Sequence, residues 1–281
     1  MRVPSPVASR GDSQLAEGQQ EQFVMTGVVA AAADGLVRHK GDLAGTEQIV
    51  GYGSQLNEAG YVVIADLVDG VELGEIARLA GGLDCDRAGM RRLIELPWCR
   101  ELAMRLMRDE RLSGILSTEV IPVQCTLFVK SAESNWLVSL HQDLSIPVAE
   151  RVNSPGCQGW SEKEGELFVQ PPVSVLDGML ALRLHLDDCN ERNGALRVVP
   201  GSHRLGRLTI AEAIREKDER GEVCVEVRRG GAMLMKPLLI HASSKVSIGS
   251  MRRVLHFVFA PAELPGALRW PPRGRLHASM S

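Results

Sequence analysis

The chain predicts an all-β core with helices flanking one face, either a β-sandwich or an open barrel. Three observations carry that prediction. Apolar residues recur at helical spacing up to about residue 113, and from Gly114 onward the apolar period shortens to that of strands. The strand-like segments are short and are punctuated by Gly and Pro turns. An initial helical layer followed by many short strands is the pattern of helices packed on a β-sandwich or barrel.

The elements follow in order. Residues 1–20 are rich in Ser, Gly, Gln and Glu, and residues 21–50 are Ala- and Gly-rich with little pattern, so 1–50 reads as a mobile or weakly helical arm. Gly60-Tyr61-Val62-Val63-Ile64 is a β-branched strand. Leu73, Ile76, Ala77, Leu79 and Ala80 then repeat at helical spacing. A second helix starts near Pro97, a residue suited to a first helical turn, with Leu102, Leu106 and Met107 on one stripe. Ile121 to Val129 is β-rich, and Leu137 to Leu140 is a strand that leads into His141. Residues 144–172 carry many Pro and Gly and read as a long irregular loop, a candidate lid that includes Trp160. Leu180, Leu182, Leu184 and Leu186 alternate with Ala181, Arg183, His185 and Asp187 as in a strand. Asn193-Gly194 predicts a tight hairpin that returns Ala195 to Val199 as the partner strand. Pro200-Gly201 is a further turn, and Thr209 is placed to cap a helix over 210–219. Strands are expected at 223–228, 232–240 and 251–259. Residues 51–265 therefore read as a single domain, followed by a tail over 266–281.

Composition excludes several function classes. With 44% apolar and 24% charged residues over 281 positions, the chain is an ordinary globular sequence that can bury a sizeable core. A net charge of −3 supplies no basic field for nucleic acid. No apolar run is long enough for a membrane span. The six cysteines are scattered without a CxxC pair, and the N-terminal residues lack an apolar secretory segment. The expectation is a cytoplasmic protein with free thiols, as a monomer or a homodimer.

The chemistry concentrates in His141-Gln142-Asp143. Residues i and i+2 of a strand share a face, so His141 and Asp143 are able to reach one metal, with His241 arriving from a distant strand. Two imidazoles and a carboxylate form the facial triad that holds Fe(II) with positions left open. A second triplet, His185-Leu186-Asp187, has the same spacing, but it sits in a strand that reads as structural. Arg252, Val254 and His256 share one strand face. An arginine facing a barrel interior needs an anionic partner, because an unpaired buried charge is costly, and the carboxylate of a dicarboxylic acid suits it. A solvent-facing Arg252 on an edge strand remains the alternative at this point.

Several motifs in order extend the pattern: Asn57-Glu58-Ala59-Gly60-Tyr61-Val62-Val63-Ile64, His141-Gln142-Asp143, Leu184-His185-Leu186-Asp187-Asp188, Asn193-Gly194-Ala195-Leu196, Pro200-Gly201-Ser202-His203, His241-Ala242-Ser243 and Arg252-Arg253-Val254-Leu255-His256. From about Leu56 to Pro261 the chain resembles the phytanoyl-CoA dioxygenase family of Fe(II)/2-oxoglutarate oxygenases. The resemblance implies a double-stranded β-helix, a cupin-like jelly-roll barrel with an N-terminal helical layer. It implies Fe(2+), with 2-oxoglutarate and O2 as co-substrates, and oxidation of a C–H bond of a small metabolite with release of succinate and CO2. It assigns His141, Asp143 and His241 to the metal, and Arg252, Ser243 and Thr126 to 2-oxoglutarate. Arg183 falls where some members carry an aromatic residue beside 2-oxoglutarate, so it is a co-substrate candidate that departs from the pattern. Gln142, Trp160 and His256 are the substrate or lid candidates. The retained Asp143 argues against halogenation, which needs the carboxylate position emptied. The competing readings are a cupin-type metalloenzyme that does not use 2-oxoglutarate, and a non-catalytic small-molecule-binding barrel.

Overall fold

The structure is a computed structural model that describes residues 45–83, 89–117, 119–132, 134–246 and 251–272. In chain order its elements are α1 (Gly45–Ala59), β1 (Tyr61–Ile64), α2 (Gly70–Gly81), β2 (Gly89–Met90), α3 (Pro97–Met107), α4 (Glu110–Ser113), β3 (Val120–Lys130), β4 (Val138–His141), β5 (Ile146–Pro147), β6 (Gln158–Lys163), β7 (Glu166–Gln170), α5 (Val173–Asp177), β8 (Leu180–His185), β9 (Leu196–Val198), α6 (Ile210–Arg220), β10 (Val223–Val225), β11 (Ala232–Met235), β12 (His241–Ser243) and β13 (Arg252–Pro261). The strands form a six-stranded sheet ordered β1-β11-β8-β13-β3-β2, a four-stranded sheet ordered β10-β9-β12-β4, and a three-stranded sheet ordered β5-β7-β6. Every named pairing is antiparallel. This is the jelly-roll barrel with helices that the sequence implies.

The three expected helices, α2, α3 and α6, form, each with a start signal. Asp69 caps α2 by accepting from the backbone N–H groups of Val71 and Glu72. Pro97 opens α3. Thr209 and Glu212 make a reciprocal capping box at α6. Leu73 and Ile76 of α2 and Leu102 and Leu106 of α3 join one apolar cluster with Leu182, Leu184, Leu255 and Phe257 of the large sheet. Each large side chain buried there stabilises the fold by ~1.5–3 kcal/mol.

β8 shows how strand parity builds the site. All six of its residues are buried. Leu180, Leu182 and Leu184 face the helices, whereas Ala181 and Arg183 line an interior cavity. The neighbouring strands follow the same rule. Gln124, Thr126 and Phe128 of β3, and Arg252, His256 and Val258 of β13, line that cavity.

Three expectations change. The boundary at residue 50 falls inside α1, which begins at Gly45; residues 1–44 lie outside the described residues. Residues 144–172 are not an irregular loop, because β5, β6 and β7 pair into a sheet. Asn193-Gly194 does not close a hairpin. Residues Glu191–Asn193 form a short 3-10 turn capped by Asn190, and β9 then pairs with β10 and β12 of the other sheet rather than with β8. Gly194, at φ 79°, is the left-handed residue that makes this crossing; a Cβ there would lie 2.6 Å from the Ser244 carbonyl oxygen.

Candidate active site

His141 ends β4 and His241 begins β12, and the two are directly opposed in the ladder. His241 is thus distant in sequence but adjacent in space. Asp143 lies just past β4, where its backbone N–H donates to the Pro237 carbonyl at 2.9 Å. The ligand atoms of His141, Asp143 and His241 all lie within 4.8 Å of one another, and among the described residues this is the group that could hold a metal ion. His141 Nε2 is 3.6 Å from Asp143 Oδ1, and His241 Nε2 is 3.8 Å from Asp143 Oδ2.

The ring tautomers follow from the backbone. His141 Nδ1 is 2.8 Å from the Ser139 carbonyl oxygen, and His241 Nδ1 is 2.8 Å from the Leu239 carbonyl oxygen. A carbonyl only accepts, so each Nδ1 carries a proton, and Nε2 is the ring atom turned toward Asp143. Such outer hydrogen bonds fix ring orientation and raise ligand basicity in metal sites. Burial holds the His241 imidazolium form down, to a pKa of about 4, against the pull of Asp143. Burial also pushes the Asp143 carboxyl up, but His241 and His141 outweigh it and keep the group ionised below the usual carboxylate range. Burial opposes it, but Asp143 raises the His141 pKa. Two oriented imidazoles that turn Nε2 to one carboxylate are a donor set that fits Fe(II).

The second triplet is used differently. Asp187 makes a bidentate pair with Arg253 at 2.8 and 2.9 Å. His185 is buried with both ring nitrogens unpartnered, and burial drives it well toward the neutral form.

One end of the cavity is cationic. Arg252 is 2% exposed, so it does not face solvent. It donates from Nη1 to the Gly194 carbonyl, and its Nε has no partner. Directly across the ladder lies Lys130, fully buried. Its ammonium donates to Ser243 Oγ at 2.7 Å and to the Ser244 carbonyl at 2.6 Å, and Ser243 Oγ donates to the Gly194 carbonyl at 2.7 Å. Burial, then the Arg252 charge, pushes the Lys130 pKa down to about 7. Lys130 was missed in the sequence, although it shares strand parity with Thr126 and so falls on the same face.

The other candidates divide. Thr126 is buried in the cavity wall and receives a hydrogen bond from Gln124 Nε2 at 3.1 Å. Arg183 is buried; its Nη1 donates to His256 Nδ1 at 3.1 Å, its guanidinium lies 5.6 Å from the Phe128 ring centroid, and its Nε has no partner. Since Arg only donates, His256 is neutral with its proton on Nε2. Burial, then Arg183, lowers its pKa to about 3.

Gln142 lines the cavity with its amide engaged, whereas Trp160 lies outside the cavity. Gln142 Nε2 donates to the Gly206 and Leu238 carbonyls at 2.8 and 2.7 Å, and its Oε1 accepts from the Leu208 N–H at 2.9 Å. Its amide braces three loops, leaving little to offer a substrate. Replacing Gln142 with Leu orphans the Leu208 N–H and is expected to cost about 2–3 kcal/mol of stability; chemical denaturation measures it, and a loss under about 0.5 kcal/mol would contradict the bracing role. Trp160 is not among the cavity-lining residues. It packs on the apolar cluster of Ile146, Val169 and Leu176, with the Arg151 guanidinium 5.2 Å from its ring centroid. Strand parity explains this, because Ser161 and Lys163 take the opposite face of β6. From the same segment Ile146, Pro147, Lys163 and Phe168 do line the cavity.

The whole cavity has a volume of about 670 Å³, within the range of small-molecule sites. No helix among the described residues is long and apolar enough to cross a membrane.

Comparison with known proteins adds a family and a fold. The family model described as phytanoyl-CoA dioxygenase matches residues 56–254. No curated protein sequence matches the chain. Similar solved structures include EctD from S. alaskensis with bound Fe, at 18% identity and a TM-score of 0.58 over 85% of each chain. The same protein with 2-oxoglutarate and 5-hydroxyectoine matches at 19% identity and 0.55, over 83% of this chain and 84% of that one. The non-heme alpha-ketoglutarate-dependent carbocyclase SnoK from nogalamycin biosynthesis matches at 17% and 0.57, over 84% and 91%. At these identities the likeness establishes the barrel.

Proposed function

Because the chain belongs to the phytanoyl-CoA dioxygenase family, we propose that it is an Fe(II)- and 2-oxoglutarate-dependent oxygenase acting on a C–H bond of a small-molecule metabolite. The observation that carries this reading is the pair of opposed imidazoles, His141 and His241. Both are locked by backbone carbonyls with Nε2 turned to Asp143. Fe(II) held there would supply the oxidising chemistry, with 2-oxoglutarate and O2 as co-substrates and succinate and CO2 as co-products.

The chain's own residues supply position and charge. His141, Asp143 and His241 would hold the metal through three protein donors. Arg252 and Lys130 would hold the distal carboxylate of 2-oxoglutarate; Ser243, whose single proton goes to the Gly194 carbonyl, would join them only by turning its hydroxyl. Arg252 offers an unpartnered Nε–H, and Lys130 a further positive charge on the same ladder rung. Thr126 and Arg183 line the path between that end and the metal. His256, kept neutral, presents an N–H donor without adding charge.

The test is spectroscopic. Purified anaerobic protein given Fe(II) and 2-oxoglutarate is expected to develop the weak visible metal-to-ligand charge-transfer band of a chelated 2-oxoacid. Bound iron without that band would sink the reading in favour of a metalloenzyme that does not use 2-oxoglutarate.

A further inference from the structure

The cavity extends well beyond the space between Arg252 and the metal ligands. Its remaining wall includes Leu144, Ile146, Pro147, Phe168, Leu176 and Met179. Ile146, Leu176 and Met179 cluster with Val258 and Ala260 of β13. Val258 lies six residues along that strand from Arg252, ~20 Å of backbone. This chamber is therefore at the opposite end of the strand from the Arg252–Lys130 rung, and it is apolar.

One cation stands in its wall. Lys163 of β6 is half-buried, lines the cavity and lies 4.7 Å from the centroid of the Phe168 ring. It makes no ion pair or hydrogen bond among the described residues. Arg91 also lines the cavity, but its guanidinium is taken by Glu164.

The charge balance of the cavity needs a further anion. Apart from the paired Arg91, the described lining carries three permanent cations, Lys163, Arg183 and Arg252, against one carboxylate, Asp143. A divalent ion and a dianionic co-substrate cancel each other. Two positive charges thus remain in excess on the lining itself, and a third beside Arg252 when Lys130 is protonated, in a cavity partly screened from water, where unpaired charge is costly.

We propose that the prime substrate is a small organic acid whose carboxylate is held by Lys163 while its apolar body lies in the Ile146–Phe168–Met179 chamber. This rests on the Fe(II)/2-oxoglutarate reading of the same cavity. A carboxylate on the Lys163 ammonium neutralises one excess charge. It also fixes which carbon of the apolar body faces the metal, making Lys163 a specificity-determining residue.

The experiment loads the full chain anaerobically with Fe(II) and saturating 2-oxoglutarate and records the charge-transfer band. It then titrates hexanoate, octanoate and 3-phenylpropionate, each beside its primary amide, following tryptophan fluorescence and the band. At least one acid is expected to bind about tenfold more tightly than its amide. Lys163→Met should erase that preference and Lys163→Arg should keep it, with the band intact in both variants. Equal binding of acids and amides, no binding by any of the six, or a preference that survives Lys163→Met overturns the proposal. So does an acid that bleaches the band by displacing 2-oxoglutarate. A band absent before any acid is added overturns the iron and co-substrate reading instead, and does so before the acids are used.

Discussion

His141→Ala is expected to abolish stoichiometric iron binding while leaving the fold intact. The three ligand atoms converge within 4.8 Å, and no other His, Cys or carboxylate group among the described residues joins them. Losing one donor from three leaves a bidentate site. Removing even an outer hydrogen bond typically costs 10–100-fold in metal affinity, so loss of a ligand should exceed about 100-fold. His141 is the informative choice, because its side chain is 36% exposed while that of His241 is 4% exposed. Truncating His241 also opens a hole beside Val198, its ladder neighbour, and mixes a stability loss into the result. Metal analysis after gel filtration, with circular dichroism as the folding control, reads the effect. Full iron occupancy in folded His141→Ala would refute the ligand assignment.

The grouping of His141, Asp143 and His241 was legible in the sequence because its logic is local. His141 and Asp143 are two residues apart at the end of a strand, and only the pairing partner of that strand was needed to bring in His241. Arg252 was legible through parity, since Arg252 and His256 share a face and Arg253 takes the other, where it pairs with Asp187. What could not be read depends on which strands pair. Asn193-Gly194 has hairpin chemistry, yet the capped 3-10 turn before it sends β9 into the other sheet. That crossing sets the Gly194 carbonyl beside Ser243 and Arg252, which no spacing in the chain announces. Lys130 ends a β-branched strand and looks like a solvated terminus until β13 lies alongside it. In residues 144–172 the Pro and Gly content hid a sheet, because Gly156, Gly159 and Gly165 serve turns and irregular pairing within it. The choice of Trp160 as the lid residue rested on residue type alone, and the parity of β6 turned it away from the cavity in favour of Lys163.

Arg252→Ala should raise the Kd for 2-oxoglutarate by about 100-fold with metal binding unchanged, a loss typical of removing one partner of a buried charged pair. Lys130→Met should do less, and its effect should depend on pH. Burial and the neighbouring Arg252 put the Lys130 pKa at about 7 in the free protein, whereas an unfolded chain titrates near ~10.4. Between these values the unfolded state holds a proton that the folded state has released. Stability of the ligand-free protein therefore rises with pH across that window. A dianion beside the ammonium reverses the balance, because binding it draws the proton back onto Lys130. With metal saturating, 2-oxoglutarate affinity is then highest below pH 7 and falls as pH rises toward 9, approaching about tenfold per pH unit for uptake of one proton. The co-substrate's carboxyls stay ionised throughout, so they contribute no slope of their own. Calorimetric titrations from pH 6 to 9 on the wild type and Lys130→Met separate the two cations. A flat profile in the wild type, or the same slope in both proteins, would remove Lys130 from the co-substrate site and leave Arg252 to hold the distal carboxylate.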